Sequence, residues 1–295
     1  MKKLLVIALA ALLVLGALAG CTNNANTVKE DETKAETPAV DENADDGAEE
    51  TADLVEIKVA ATSVPHSEIL EAIKDDLAAK GYDLVINTMD DYVIPNNATE
   101  SGDVDANYFQ HTPYLDQFNE ENGTHLVSVA KVHYEPFGIY AGTASALEDI
   151  KEGDSIAVPN DVTNEARALL LLEANGLIKL VDGAGLTATK NDIVENPLNL
   201  NIVEMEAALV PSVLDEVAAA VINGNYALEA GLRVSEALAT EDAESEAAQT
   251  FANILVVKEG NENDPKTLAL AEALTGETVR DFIDATYDKS VIAIF

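Results

Sequence analysis

The chain has 295 residues, with 17 lysines and arginines against 54 aspartates and glutamates and a formal net charge of -37. Such a charge excludes nucleic acid as a partner and direct electrostatic docking on an anionic membrane, because phosphates are repelled. One cysteine, Cys21, excludes an intramolecular disulfide, a four-cysteine zinc site and a cysteine-held iron–sulfur cluster, while 47% hydrophobic residues still allow one large or two smaller cores.

Residues 1–20 read as an address. Lys2 and Lys3 precede an apolar run from Leu4 to Ala19, shorter than the roughly 20 residues of a comfortable membrane span. Ala19 and Gly20 place small residues directly before Cys21. The arrangement resembles a bacterial lipoprotein signal, which implies cleavage before Cys21 and lipidation of its thiol, holding the protein at the membrane without crossing it. Residues 22–53 carry eleven acidic residues, two lysines and no aromatic side chain. Such a segment cannot offset its ordering entropy by burial, so residues 21–53 are expected to be the lipidated cysteine and a disordered acidic tether.

Folding is expected to begin near Leu54. Glu56 to Ala60 alternates as a first strand, and Ile69, Leu70, Ile73 and Leu77 share one face of a helix over 68–80. Gly81 ends that helix, and Tyr82 to Thr88 reads as a second strand, so the β-α-β order predicts a mostly parallel sheet flanked by helices. Leu126 to Ala141 alternates and contains Pro136 and Gly138, as suits an extended crossing segment. The grammar then restarts. Strands are expected at 155–158, 200–205 and 218–222, with a leucine-rich helix at 164–174 between the first two. A strand at 251–257 and helices at 265–274 and 278–287 close the chain. Two α/β lobes explain this order better than an even eightfold barrel. The expected division is a first lobe over 54–138, a second over 139–249 and a return to the first over 250–295, with a ligand cleft between the lobes.

The four histidines, His66, His111, His125 and His133, form no close pair or HExxH motif, and no metal site is assigned. Neither GxSxG, a P-loop nor GxGxxG occurs, so no catalytic residue and no cofactor is assigned either. Polar and aromatic residues at strand-to-loop junctions say more. Tyr92 follows the second strand. Phe109 and His111 stand two apart and would line one wall of an extended stretch. Asn164 and Arg167 stand three apart at a helix start and share a face, which Asp161 or Thr163 could cap. Arg167 is one of only 13 basic residues among 43 acidic ones in 54–295, and a guanidinium can grip a carboxylate through two parallel hydrogen bonds. Pairing with a nearby acid is the competing role. Asn225, after a buried strand, adds an amide. An aromatic wall facing a carboxylate clamp suits a small apolar α-amino acid, and polarizable sulfur against rings favours methionine without excluding leucine or phenylalanine.

The stretches IKVAATSVPHSEILE (57–71), DYVIPNNA (91–98), GDVDANYFQHTPYLDQF (102–118), SIAVPNDVTNEARALLLLEANGLIKL (155–180), NPLNLNIVEME (196–206) and AAAVINGNYALEAGL (218–232) resemble the methionine-binding lipoproteins of the NlpA/MetQ family. The resemblance implies a two-lobed type II periplasmic-binding-protein fold, no enzymatic activity and a lipid-anchored place on the extracytoplasmic face of the cell membrane. It also implies methionine as ligand and the permease and ATPase subunits of an ABC importer as partners. Tyr92, Phe109 and His111 map onto the family's side-chain enclosure, and Asn164, Arg167 and Asn225 onto its backbone clamp. The YEPFG stretch (134–138) and the high acidity depart from the family's usual look. D-methionine or a methionine dipeptide as cargo, a metal-ion carrier, and a structural or adhesive lipoprotein are the competing expectations.

Overall fold

The computed structural model describes residues 54–242 and 249–295. The expected signal, Cys21 and the tether lie outside the described residues. Two mixed sheets organise the body. The first has six strands: β1 (Val55–Ala61), β2 (Tyr82–Thr88), β3 (Ala106–His111), β4 (Leu126–Tyr134), β12 (Asn253–Lys258) and β13 (Ile292–Ala293), in the order β13-β4-β12-β3-β1-β2. The second has five: β5 (Gly138–Ala141), β6 (Ser155–Pro159), β9 (Asn201–Met205), β10 (Ala219–Ile222) and β11 (Ala239–Thr240), in the order β11-β5-β10-β6-β9. A small ribbon pairs β7 (Lys179–Leu180) with β8 (Ile193–Glu195).

The sheets are less parallel than the sequence order predicts. β1 pairs in parallel with β2 and β3, and β6 with β9 and β10. β12 runs antiparallel to both β3 and β4. The cause is the crossing itself: β4 carries the chain out towards the second sheet and β12 receives it on return, so outgoing and incoming strands lie side by side in opposite directions.

Helices cover the sheets. In the first part are α1 (Glu68–Ala72), α2 (Lys74–Ala78), α3 (Ile94–Ser101) and α4 (Thr112–Asn122); α5 (Val162–Ala174) and α6 (Gly224–Glu229) follow, and α7 (Pro265–Leu274) and α8 (Glu277–Thr286) return to the first sheet. The helix expected over 68–80 is broken at Ile73, whose backbone sits at φ -104 and ψ 4. Its apolar face survives the break, since Ile69, Leu70, Ile73 and Leu77 are all fully buried against Ile57, Val59 and Leu255. α5 starts where Asp161 accepts from the Asn164 backbone N–H, 3.1 Å away, and buries Leu169 and Leu172 against Ile156, Val158 and Val221. Each such aliphatic side chain contributes roughly 1.5–3 kcal/mol of burial. Among the described residues no helix is long and apolar enough to cross a membrane.

Candidate functional site

Where the two sheets meet, Tyr92, Phe109, Gln110, His111 and Tyr114 from the first part of the chain face Asn164, Arg167, Asn223, Gly224 and Asn225 from the second, with Glu135 and Asn253 from the crossing strands between them. The cleft is tightly closed, its roughly 340 Å3 of space between the side chains including open solvent. All six side chains singled out from the sequence as ligand contacts, Tyr92, Phe109, His111, Asn164, Arg167 and Asn225, line it.

Local structure explains how they arrive. β3 delivers Phe109 and His111, but not by simple alternation. Its register with β12 passes from Tyr108 to Gln110, so Phe109 is the extra residue of a bulge, a device that re-aims side chains beside functional sites. Tyr92 sits in the loop before α3 and packs against Phe109 at 5.7 Å, Tyr114 at 5.7 Å and Tyr226 at 5.0 Å between ring centroids. Three rings of the first part thus form one wall.

Hydrogen bonds tie that wall to the second sheet's helices. The Tyr92 hydroxyl donates to Asn225 Oδ1 at 2.5 Å. His111 Nδ1 accepts from the Tyr114 backbone N–H, so its Nε2 carries the proton and donates to Asn164 Oδ1 at 3.1 Å. The same oxygen accepts from Asn223 Nδ2 at 3.0 Å, and Asn164 Nδ2 donates to Asp161 at 2.8 Å. Burial, together with the nearby Arg167 charge, holds His111 down at about 4, so the imidazole is neutral. Asn225 Nδ2 and Asn223 Oδ1 are the buried side-chain polar atoms without a hydrogen-bond partner among the described residues. One is a donor and the other an acceptor, and leaving either unmatched costs roughly 1–3 kcal/mol.

Arg167 is buried, 5% exposed, and is engaged on one edge. Its Nε donates to Glu241 Oε1 at 2.7 Å and its NH2 to Glu241 Oε2 at 2.5 Å and to the Glu135 backbone oxygen at 3.0 Å. Glu241 also accepts from the Tyr134 hydroxyl and the Phe137 backbone N–H. Burial works against its charge, yet Arg167 and these donors hold the carboxyl below the usual range. The Tyr134 hydroxyl also lies against the guanidinium, and Arg167 lines the cleft as well as pairing with Glu241.

Sequence reasoning gave no role to six groups that the fold brings here, Gln110 and Tyr114 on the aromatic side among them. Glu135 interrupts an otherwise extended crossing; Asn253 is an amide in the apolar run FANILVV; Asn223 and Gly224 precede Asn225. Asn253 Oδ1 accepts from His66 Nε2 at 2.9 Å, which leaves its amide nitrogen as a further donor. Asn253 and Glu135 carried a signal, each being a polar residue in an apolar stretch. Glu241 carried none, since its partner lies 74 residues away. His66 and His133 converge on Glu135, with ligating atoms of the three within 4.8 Å of one another. Their ring nitrogens are already engaged: His133 by Tyr108 and Glu135, His66 by Thr62 and Asn253. His125 lies away, exposed beside Glu100.

The family model described as NlpA lipoprotein matches residues 57–295. Membrane lipoprotein TpN32 of Treponema pallidum is 43% identical over 238 residues, covering 80% of this chain and 87% of that one. The crystal structure of a lipoprotein from Ruminococcus gnavus is 59% identical with a TM-score of 0.81, covering 81% of this chain and 99% of its own. A nutrient-binding protein from Burkholderia cenocepacia, solved bound to methionine, is 40% identical with a TM-score of 0.77, covering 81% and 100%. The two sheets with their flanking helices are the type II periplasmic-binding-protein fold of these relatives.

Proposed function

The chain belongs to the NlpA lipoprotein family, and from that premise we propose that its cleft captures methionine, foremost the L-enantiomer, for delivery to an ABC importer. The family is one of substrate-binding lipoproteins, so the chain is a carrier and not an enzyme, lipid-anchored on the extracytoplasmic face of the membrane. The finer assignments are proposals: Cys21 bears the lipid, the lobes run over 54–138, 139–249 and 250–295, and the receiving permease has two spanning subunits driven by two cytoplasmic ATPases.

The observation that carries the reading is the unmatched pair on the polar side of the cleft, a donor at Asn225 Nδ2 and an acceptor at Asn223 Oδ1. An α-amino acid matches both. Its carboxylate accepts from Asn225 and from Arg167, and its ammonium donates to Asn223. Its side chain then meets Tyr92, Phe109 and His111, where a thioether against ring edges gains roughly 0.3–1.5 kcal/mol. The bound methionine of the Burkholderia relative supports the same cargo. In this account Asn164 acts through others: it holds His111 and Asn223 in place and joins the two sides of the cleft. Ligand favours the closed arrangement by binding it more tightly than the open one, since equal affinity for both would shift nothing.

Calorimetric titration of the full chain in detergent, refolded to strip carried-over ligand, tests the reading. One-to-one binding of L-methionine at micromolar affinity or better is expected, with leucine at least tenfold weaker. A response to methionine dipeptides alone changes the cargo. Silence from amino acids with a response to zinc supports a metal carrier, and silence throughout in folded protein supports a structural or adhesive lipoprotein.

A further inference from the structure

The charges of the cleft do not balance. Arg167 and Glu135 are the fully charged residues among those lining it, but Arg167 is already paired through two hydrogen bonds with Glu241. Glu135 is left as a buried carboxyl, 5% exposed, with no cation hydrogen-bonded to it, and burial raises it above the usual carboxylate range.

Its surroundings are dipoles. Oε1 accepts from His133 Nε2 at 2.7 Å and lies 3.5 Å from His66 Nε2. The Asn225 backbone N–H lies close to the same carboxyl and favours its charge. A carboxylate only accepts, so the facing Nε2 of His133 carries its ring's proton, and its Nδ1 accepts from the Tyr108 hydroxyl. His66 is fixed in the same sense, its Nε2 donating to Asn253 Oδ1 and its Nδ1 accepting from Thr62 Oγ1 at 2.7 Å. Both rings are therefore neutral donors. Burial accounts for that, holding His66 at about 4 and His133 at about 3. Room for the carboxylate is made by Gly224, where a Cβ would stand 2.6 Å from Glu135 Cβ and 2.7 Å from Oε2. A buried carboxylate served only by neutral donors is costly until a positive group joins it.

We propose that Glu135 is the counter-charge for the α-ammonium of the guest, so that the cleft selects for a free, protonated amine as well as for a carboxylate and an apolar side chain. The proposal rests on the amino-acid reading above and deepens it. Asn223 Oδ1, the unpartnered acceptor in the same lining, is the second oxygen for the ammonium. Together they make the class of guest an amino acid or a peptide with an unblocked first residue, and they reject N-acylated or amine-free analogues. Glu135 stands in the YEPFG stretch (134–138) of the crossing segment. His133 is a positioning residue, holding the carboxylate through its Nε2–H, while His66 stands beside it with its own proton given to Asn253.

The test pairs two ligands with two proteins. Methionine and 4-(methylthio)butanoate, which is methionine without its amino group, are titrated into the wild-type full chain and into Glu135→Gln. The wild type is expected to prefer methionine by about 100-fold, the scale of hydrogen bonds to charged groups. Glu135→Gln is expected to bring the preference below about tenfold, with the loss falling on methionine alone. Equal losses for both ligands, or an unchanged preference, overturn the assignment while leaving the amino-acid cleft intact. Failure of the folded wild type to bind methionine overturns the underlying reading as well. Glu135→Asp, which keeps the charge but withdraws it by one methylene, serves if the glutamine variant does not fold; at least about a tenfold loss for methionine with the amine-free acid unmoved is expected, and parallel losses overturn the proposal. Stoichiometric zinc binding abolished by Glu135→Gln overturns it in favour of a metal centre on His66, His133 and Glu135.

Discussion

Replacing Glu241 by alanine strips Arg167 of its counter-ion without touching the cleft lining. The structure sets the magnitude. The variant loses two charged hydrogen bonds at 2.7 and 2.5 Å and leaves the Tyr134 hydroxyl and Phe137 N–H without their acceptor. Arg167 stays buried, its guanidinium 4.2 Å from the Phe251 ring and 4.7 Å from the Phe137 ring, contacts that cannot replace a full negative charge. Removing one member of a buried pair costs roughly 3–5 kcal/mol, a large part of the roughly 5–15 kcal/mol that holds a domain folded. Arg167→Met is expected to cost a similar amount by stranding Glu241. The double variant removes both charges together, so its cost is expected to fall at least about 2 kcal/mol short of the sum of the single costs. Urea denaturation followed by far-UV circular dichroism reads this out, the chain having no tryptophan for fluorescence. Single costs below about 1 kcal/mol, as for an exposed pair, or strict additivity in the double variant, would refute the reasoning.

Two further predictions follow from burial and close approach. Burial holds His66 and His111 at about 4 and His133 at about 3, against 6.5 ordinarily; the unfolded chain takes up these protons first, so stability is lost as pH falls from 6.5 towards 4. Each ring accounts for about 2 kcal/mol by pH 5, offset in part by Glu135 and Asp161, whose carboxyls burial pushes up; equal urea midpoints at pH 7 and pH 5 would contradict neutral buried rings. Gly224→Ala forces its methyl group onto Glu135, and a loss of roughly 1–3 kcal/mol with weaker methionine binding is expected by urea denaturation and calorimetry, unchanged values in both being the contrary result.

Where the sequence carried punctuation, the elements were legible. β2 begins where expected because Gly81 turns the chain at φ 88, and α7 starts at Pro265 behind the Asp264 cap. The same signals marked two helices that the apolar pattern passed over: α3 and α4 each carry a proline in the first turn, Pro95 and Pro113, and end on left-handed Gly102 and Gly123. The break at Ile73 left no trace, because the buried face runs through it unbroken. In the site, side chains at strand ends and a helix start announced themselves by residue type. What was hidden depends on tertiary distance: Glu241 beside Arg167, the two histidines behind Glu135, and the amide of Asn253 turned by His66. Periodicity reports which face of an element is buried, and says nothing about which distant residue meets it.

The central claim, that one cleft matches both ends of a methionine, is tested most directly by a crystal structure of the protein with L-methionine. The account predicts the carboxylate within hydrogen-bond reach of Asn225 Nδ2 and Arg167, the ammonium against Asn223 Oδ1 and Glu135, and the thioether among Tyr92, Phe109 and His111. Methionine bound elsewhere, or bound here with Asn223 Oδ1 and Asn225 Nδ2 still unpartnered, would contradict it.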